Sequence, residues 1–86
     1  MQVNFYQIED IRHMVLHSVN LHDGKTYEKC RALGINEDVF SKIRRRVTNI
    51  PFCIVKKLGL HKVVDDKQLI GYVSWGEVNI ERLWSE

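Results

Sequence analysis

Basic side chains are concentrated in the middle of this sequence, and the chemistry they could do is the binding of phosphate. Residues 25–62 carry ten Lys or Arg against three acidic residues, a net charge of +7, whereas residues 1–24 and 63–86 carry −2 and −3. Lysine and arginine hold phosphate oxygens by charge and by hydrogen bonds, so this segregation favours a polyanion on one face. A solvated basic face without a ligand is the alternative.

Other side chains that could bind a metal or act in catalysis lack the partner residues that these functions need. His13 and His17 lie one helical turn apart, but no acidic third ligand stands at a matching position and no HExxH motif is present. Cys30 and Cys53 form no CxxC pair, and we expect reduced thiols rather than a disulfide. Ser41 belongs to no nucleophile elbow, and no glycine-rich phosphate loop occurs. The sequence therefore predicts no enzyme, no metal site and no cofactor.

Length and composition predict a single domain over residues 1–86, with a helical core over 8–60 and a hairpin and tail over 61–86. Apolar residues make up 44% and charged residues 28% of the chain, an ordinary globular balance. No apolar run approaches the roughly 20 residues that span a bilayer, and the N-terminus has no secretory signal pattern. We therefore expect a cytoplasmic protein that does not contact a membrane.

Apolar periodicity predicts a mostly α fold with four helices ahead of a β-hairpin. In "IEDIRHMVLHSV" the apolar residues recur at three- and four-residue steps, which is typical of an amphipathic helix. The inward face of this first helix would carry Ile8, Ile11, Val15, Leu16 and Val19.

Capping signals bound the second and third helices. Thr26 is the expected N-cap of the second helix, and Gly34 suits a left-handed conformation at its end. Asn36 is the expected N-cap of the third helix, with Glu37 and Asp38 in its first turn. The inward face of this third helix would carry Val39, Phe40, Ile43 and Val47.

The character of the sequence changes at Gly59. Pro51 suits the first position of a fourth helix, "PFCIVKKLGL", which Gly59 would close. The stretches "KVV" and "QLIGYVSW", separated by "DDK", are rich in β-branched and aromatic residues and predict a β-hairpin. Trp75 and Trp84 then stand in an acidic tail, where they either cover the core or form a partner surface.

The second and third helices, joined by a turn at Leu33–Gly34–Ile35, predict a helix-turn-helix. Cys30 is the small residue that a close helix crossing needs, and Ile35 and Phe40 would fill the space between the two helices. The stretches "TYEKCRALGINEDVFSKI" and "IPFCIVKKLGL" make residues 8–60 similar to the Cro and repressor family of bacterial and phage DNA-binding proteins. The resemblance implies four or five helices, with a recognition helix over 37–46 in the major groove of DNA.

The resemblance and the charge pattern together imply which side chains contact DNA. The start of the second helix could hold a phosphate, and polar or basic side chains of the third helix could read base edges or bind phosphates. These residues are Thr26, Asn36, Ser41, Lys42, Arg44, Arg45 and Arg46.

Three functions compete on this evidence. The first is a sequence-specific regulator of transcription, repressor-like, which binds double-stranded DNA as a homodimer through its C-terminal segment. The second is a helix-turn-helix-shaped interaction module or inhibitor that binds a protein and not DNA. Glu37 and Asp38 favour it, because carboxylates near phosphates are repelled. The third is an accessory DNA factor of the excisionase or antitoxin kind.

Overall fold

The computed structural model describes residues 3–84, which form four α-helices and a three-stranded antiparallel sheet. The sequence predicted four helices followed by a β-hairpin, and the structure confirms a helix-rich chain with four helices and a sheet near its C-terminal end. In chain order the elements are β1 (Val3–Tyr6), α1 (Ile8–Leu21), α2 (Thr26–Leu33), α3 (Glu37–Arg44), α4 (Phe52–Lys57), β2 (His61–Asp65), β3 (Gln68–Trp75) and a 3₁₀ helix (Ile80–Trp84).

The core lies between the helices and the inner face of the sheet. Helix α1 contributes Ile11, Val15 and Val19, all buried, because their three- and four-residue spacing puts them on one side of the helix. The sheet contributes Tyr72 and the 3₁₀ helix contributes Leu83, both with no exposed surface. None of the helices within residues 3–84 combines the length and apolarity that crossing a bilayer requires.

Three of the helices end in the same way, with one residue in the left-handed conformation. Gly34 has φ 78°, Arg46 has φ 62° and Gly59 has φ 68°. In each case the next N–H donates back across the helix end, as Ile35 N does to Cys30 O at 3.0 Å. This is the Schellman arrangement, which satisfies carbonyls that the helix leaves unpaired. The sequence analysis predicted that Gly34 and Gly59 end their helices, but it did not predict that Arg46 does so.

Replacing Gly34 by valine should lower the free energy of unfolding by about 1–3 kcal/mol, because a β-branched residue is strained at positive φ. An added Cβ would meet no heavy atom of the rest of the chain within 4 Å, so backbone strain is the main source of the loss. Chemical denaturation of Gly34→Val against wild type measures it. Unchanged stability would contradict the left-handed turn.

The predicted caps are partly confirmed. The Asn36 side-chain oxygen accepts a hydrogen bond from Val39 N at 2.8 Å, as an N-cap does. Thr26, in contrast, is not an N-cap: Lys25 holds that position in extended conformation, and Thr26 is the first residue of α2. Pro51 lies one residue outside α4, as its N-cap, because its ψ of 146° is extended.

The predicted hairpin is present as β2 and β3, but it is only part of the sheet. Strand β1 pairs with the other edge of β3, so the strand order is β1-β3-β2. Val3 lies opposite Trp75 and Phe5 opposite Val73 in this register. The N-terminal strand was missed because four residues are too few to show periodicity, and its partner lies about 70 positions away.

One predicted core residue is wrong. Val47 is 63% exposed, whereas Phe40 and Ile43 are buried as expected. Helix α3 ends at Arg44, and the left-handed Arg46 turns the chain away before Val47. Helical spacing therefore no longer decides where the Val47 side chain points.

Candidate nucleic-acid interface

Helices α2 and α3 are joined by three residues, 34–36, and share a buried seam. Cys30 and Leu33 of α2 are buried, as are Phe40 and Ile43 of α3. These apolar residues hold one side of α3 against the core. The opposite side of α3 is left to solvent and carries Lys42, whereas Arg44 and Arg45 lie at the exposed C-terminal end of the helix.

The N-terminal end of α3 is acidic, and part of its polar capacity is already used. The oxygen of Asn36 caps the helix, which leaves its NH₂ group to donate elsewhere. Lys42 pairs with Asp38 one turn away, at 3.2 Å, and both side chains are largely exposed. Such an exposed pair contributes about 0.3–0.5 kcal/mol, so a phosphate can draw Lys42 away at little cost.

The C-terminal end of α3 is basic and exposed. The Arg44 guanidinium lies 5.7 Å from the centre of the Phe40 ring, within the range of a cation–π contact. Arg45 follows as the C-cap, and its Nε donates to Ser41 O at 3.4 Å. Helix α3 therefore ends two residues before the predicted boundary of the recognition helix at 46. Arg45 extends from the helix end and not from its side.

Thr26 and Arg44 come together although they lie on different helices. Both line a pocket of about 310 Å³ between α1, α2 and α3. Lys29 lines it too, but its Nζ donates to Val19 O at 2.7 Å and so ties α2 to the end of α1. An oxyanion in this pocket would have Thr26 at the start of α2 and the Arg44 side chain close by.

Arg46 forms an ion pair with Glu9 of α1, although its side chain remains 65% exposed. Its Nε lies 3.3 Å from a carboxylate oxygen of Glu9, which also contacts the guanidinium of Arg12. Arg12 is 4% exposed and donates from Nη2 to Thr48 O at 2.8 Å. Glu9 thus bridges two arginines and ties α1 to the chain that follows α3.

The buried Arg12 is a feature that the sequence analysis missed. It had been counted among the charges of the acidic N-terminal region, although its spacing from Ile8, Ile11 and Val15 places it on the apolar face of α1. That spacing is the signal that could have found it. Among residues 3–84, its Nε, the Oε2 atom of Glu9 and the hydroxyl of Tyr72 are buried atoms without a hydrogen-bond partner. Burial raises the pKa of Tyr72, an effect that the charge of Arg12 partly opposes.

Another basic residue of the central region has a structural role. Lys57 donates to Ala32 O at 2.7 Å and lies 3.4 Å from Leu83 O, so it joins α4 to α2 and to the 3₁₀ helix. Lys29 and Lys57 can contact a ligand only if these hydrogen bonds break, whereas Arg46, whose pair with Glu9 is exposed, can still reach a phosphate as Lys42 can.

The cysteines and histidines form no reactive constellation in the described part of the chain. Both thiols are unpaired, and burial together with the charge of Glu37 raises the pKa of Cys30, which keeps it neutral. Across residues 3–84 no three His, Cys, Asp or Glu side chains gather as metal ligands would. The His22 ring instead stacks on Trp84, with centroids 3.9 Å apart.

Comparison with models of protein families, with curated proteins and with solved structures gives no match to this chain.

Proposed function

We propose that this protein is a sequence-specific DNA-binding regulator of transcription, of the repressor kind, which lays α3 in the major groove of double-stranded DNA. In this proposal α2, the turn at Gly34 and α3 form a helix-turn-helix. The observation that carries it is the two-sided character of α3. Phe40 and Ile43 anchor it, while Lys42, Arg44 and Arg45 are exposed.

The chemistry of that exposed side matches what DNA presents. Arginine and lysine pair with the acceptors of guanine or with phosphates, and the free NH₂ of Asn36 can donate to either. Glu37 and Asp38 can accept a hydrogen bond only from a donor such as the amino group of cytosine. We therefore expect a binding site in which cytosine faces the start of α3.

Salt dependence of DNA binding tests the proposal directly. If about five basic side chains meet phosphates, the logarithm of affinity should fall against the logarithm of salt concentration with a slope of about −4 to −5. Fluorescence anisotropy of a labelled duplex library, titrated at several salt concentrations, measures the slope. A chain that shows no binding to duplex DNA even at low salt would refute the proposal.

A second candidate function is a module that binds a protein and not DNA. The pairing of Lys42 with Asp38 and the exposed Glu37 favour it, because they place acid at the edge where a DNA reader needs donors. This alternative predicts a salt slope near zero with DNA. The two candidates are therefore separated by the same titration.

A further inference from the structure

The outer face of the sheet is apolar, although it does not face the core. Tyr72 and Ser74 of β3 are buried on the inner side, so the alternating residues Gly71, Val73 and Trp75 point outward. Their partners across the sheet share this face: Val3 lies opposite Trp75, Phe5 and His61 lie opposite Val73, and Val63 lies opposite Gly71. No Asp, Glu, Lys or Arg occupies any of these paired positions.

These outward side chains are exposed to an unusual degree. Val3 is 47%, Phe5 52% and Trp75 61% exposed. Ile70, which the bulge opposite Val63 and Val64 leaves unpaired, is 48% exposed and lines one cleft together with Phe5. An antiparallel sheet that packs one face on a core commonly has polar side chains on its other face. This sheet departs from that rule across all three strands.

We propose that this outer face is the surface on which a second copy of the chain docks, face to face about a two-fold axis. The outer face is defined by Val3, Phe5, Val63, Ile70, Val73 and Trp75. The proposal rests on the proposed function in one respect: a DNA-binding dimer needs an interface that sets its two reading helices about 34 Å apart. The apolar character of the outer face is independent of whether the protein binds DNA.

The area of this surface fits a dimer of ordinary size. Val3, Phe5, Ile70 and Trp75 are each about half exposed, and together they present on the order of 400 Å² of largely apolar surface. A standard interface buries about 800 Å² on each partner, of which somewhat more than half is apolar. The outer face therefore supplies about the apolar area that one partner contributes. Because a two-fold interface is self-complementary, one such patch on each copy is sufficient.

Docking by the strand edges is the competing arrangement, and the sheet disfavours it. Strand β3 is central: β1 pairs with its residues 72–75 on one side and β2 with residues 68–73 on the other, so only short stretches of it remain as open edge. Strand β2 carries Lys62 and a bulge, and β1 has four residues. Charge, irregularity and shortness are the devices by which proteins keep edge strands from pairing. We therefore assign the predicted dimerisation through the C-terminal segment to the face of the sheet and not to its edges.

The uncharged character of the face also favours protein over membrane as its occupant. Surfaces that bind acidic lipid headgroups combine apolar residues with lysine or arginine, and the paired outer positions have neither cation. Glu9, Arg12 and Arg46 line the same cleft as Phe5 and Ile70, but Glu9 pairs with both arginines, so the charges at this border already have partners within the chain.

Sedimentation velocity of the intact chain, with Trp75→Glu and Val3→Glu as separate variants, tests this proposal. Leu21→Glu is the matched control, because Leu21 is 71% exposed and lies at the end of α1. We expect a wild-type dimer at about 100 µM and a dimer dissociation constant raised at least about tenfold by either sheet variant, with the control unchanged. Circular dichroism of each variant verifies that it is folded.

Two results would overturn the proposal. One is a wild-type chain that stays monomeric at about 1 mM. A monomer that co-sediments with phosphatidylcholine vesicles counts as the same result, because the face then binds lipid and not a second copy. The other is a dimer whose dissociation constant is raised as much by Leu21→Glu as by the two sheet variants. A dimer whose dissociation constant neither sheet variant raises would overturn the proposal in the same way. The outcome is separate from DNA binding: a dimer that ignores DNA refutes the proposed function alone, and a monomer that binds DNA refutes this surface alone.

Discussion

Replacement of Gly71 by alanine is expected to lower the free energy of unfolding by about 3 kcal/mol, which for a domain of this size lowers the melting temperature by about 15 °C. A Cβ at position 71 would lie 2.6 Å from Cζ of Phe5 and 2.6 Å from the backbone oxygen of Tyr6. The Phe5 ring can rotate away. The Tyr6 oxygen belongs to the β1–β3 pairing and can move only if that pairing loosens.

Two further variants separate this steric clash from the conformational cost of replacing any glycine. The double change Phe5→Ala with Gly71→Ala should remain destabilised, because the clash with the Tyr6 backbone persists. Gly34→Ala should cost only about 1 kcal/mol, since its Cβ meets open space and only its φ is unfavourable. Thermal unfolding followed by circular dichroism measures all three. A Gly71→Ala protein as stable as wild type would mean that β1 does not pair beside Gly71.

The second large effect is expected in DNA binding. Reversing two exposed charges with Lys42→Glu and Arg45→Glu should reduce affinity for duplex DNA at least about 100-fold, equivalent to about 2.7 kcal/mol. The change removes two favourable contacts and adds two carboxylates beside phosphates. Stability should change by less than about 1 kcal/mol, because the Lys42–Asp38 pair is exposed.

The matched control reverses two charges elsewhere. Lys62→Glu with Lys67→Glu makes the same change in net charge on the hairpin, where both lysines are exposed. Anisotropy titrations at one salt concentration compare the two double variants. Equal losses of affinity would show that net charge and not the surface of α3 governs binding, and would count against α3 as the reading helix.

Much of the secondary structure could be predicted because its causes are local. The apolar spacing of α1, the Asn36 cap and the glycines at 34 and 59 each act over at most one or two turns of helix. The hairpin, too, joins strands separated by only two residues. Neighbouring residues alone make these conformations favourable, so the sequence by itself determined them.

The sequence indicates which basic residues lie near α3, but not how their side chains are arranged in space. Lys42, Arg44 and Arg45 lie on or at the end of α3 as expected, and the structure adds that Thr26 shares a pocket with Arg44. Arg46 could not be placed from the sequence, because its position depends on Glu9, 37 residues earlier. The sequence shows that a charge is present; whether it is free for a ligand depends on its partner in space.

Only the tertiary structure decided the features that join distant parts of the chain. Strand β1 exists because β3 offers it an edge, and the outer face of the sheet exists because β1 adds Val3 and Phe5 beside Val73 and Trp75. Arg12 is buried because Glu9 and the Thr48 carbonyl meet it there. Each of these arrangements requires two segments to be brought together, at an entropic cost that only the complete fold offsets, so local sequence carries little sign of them.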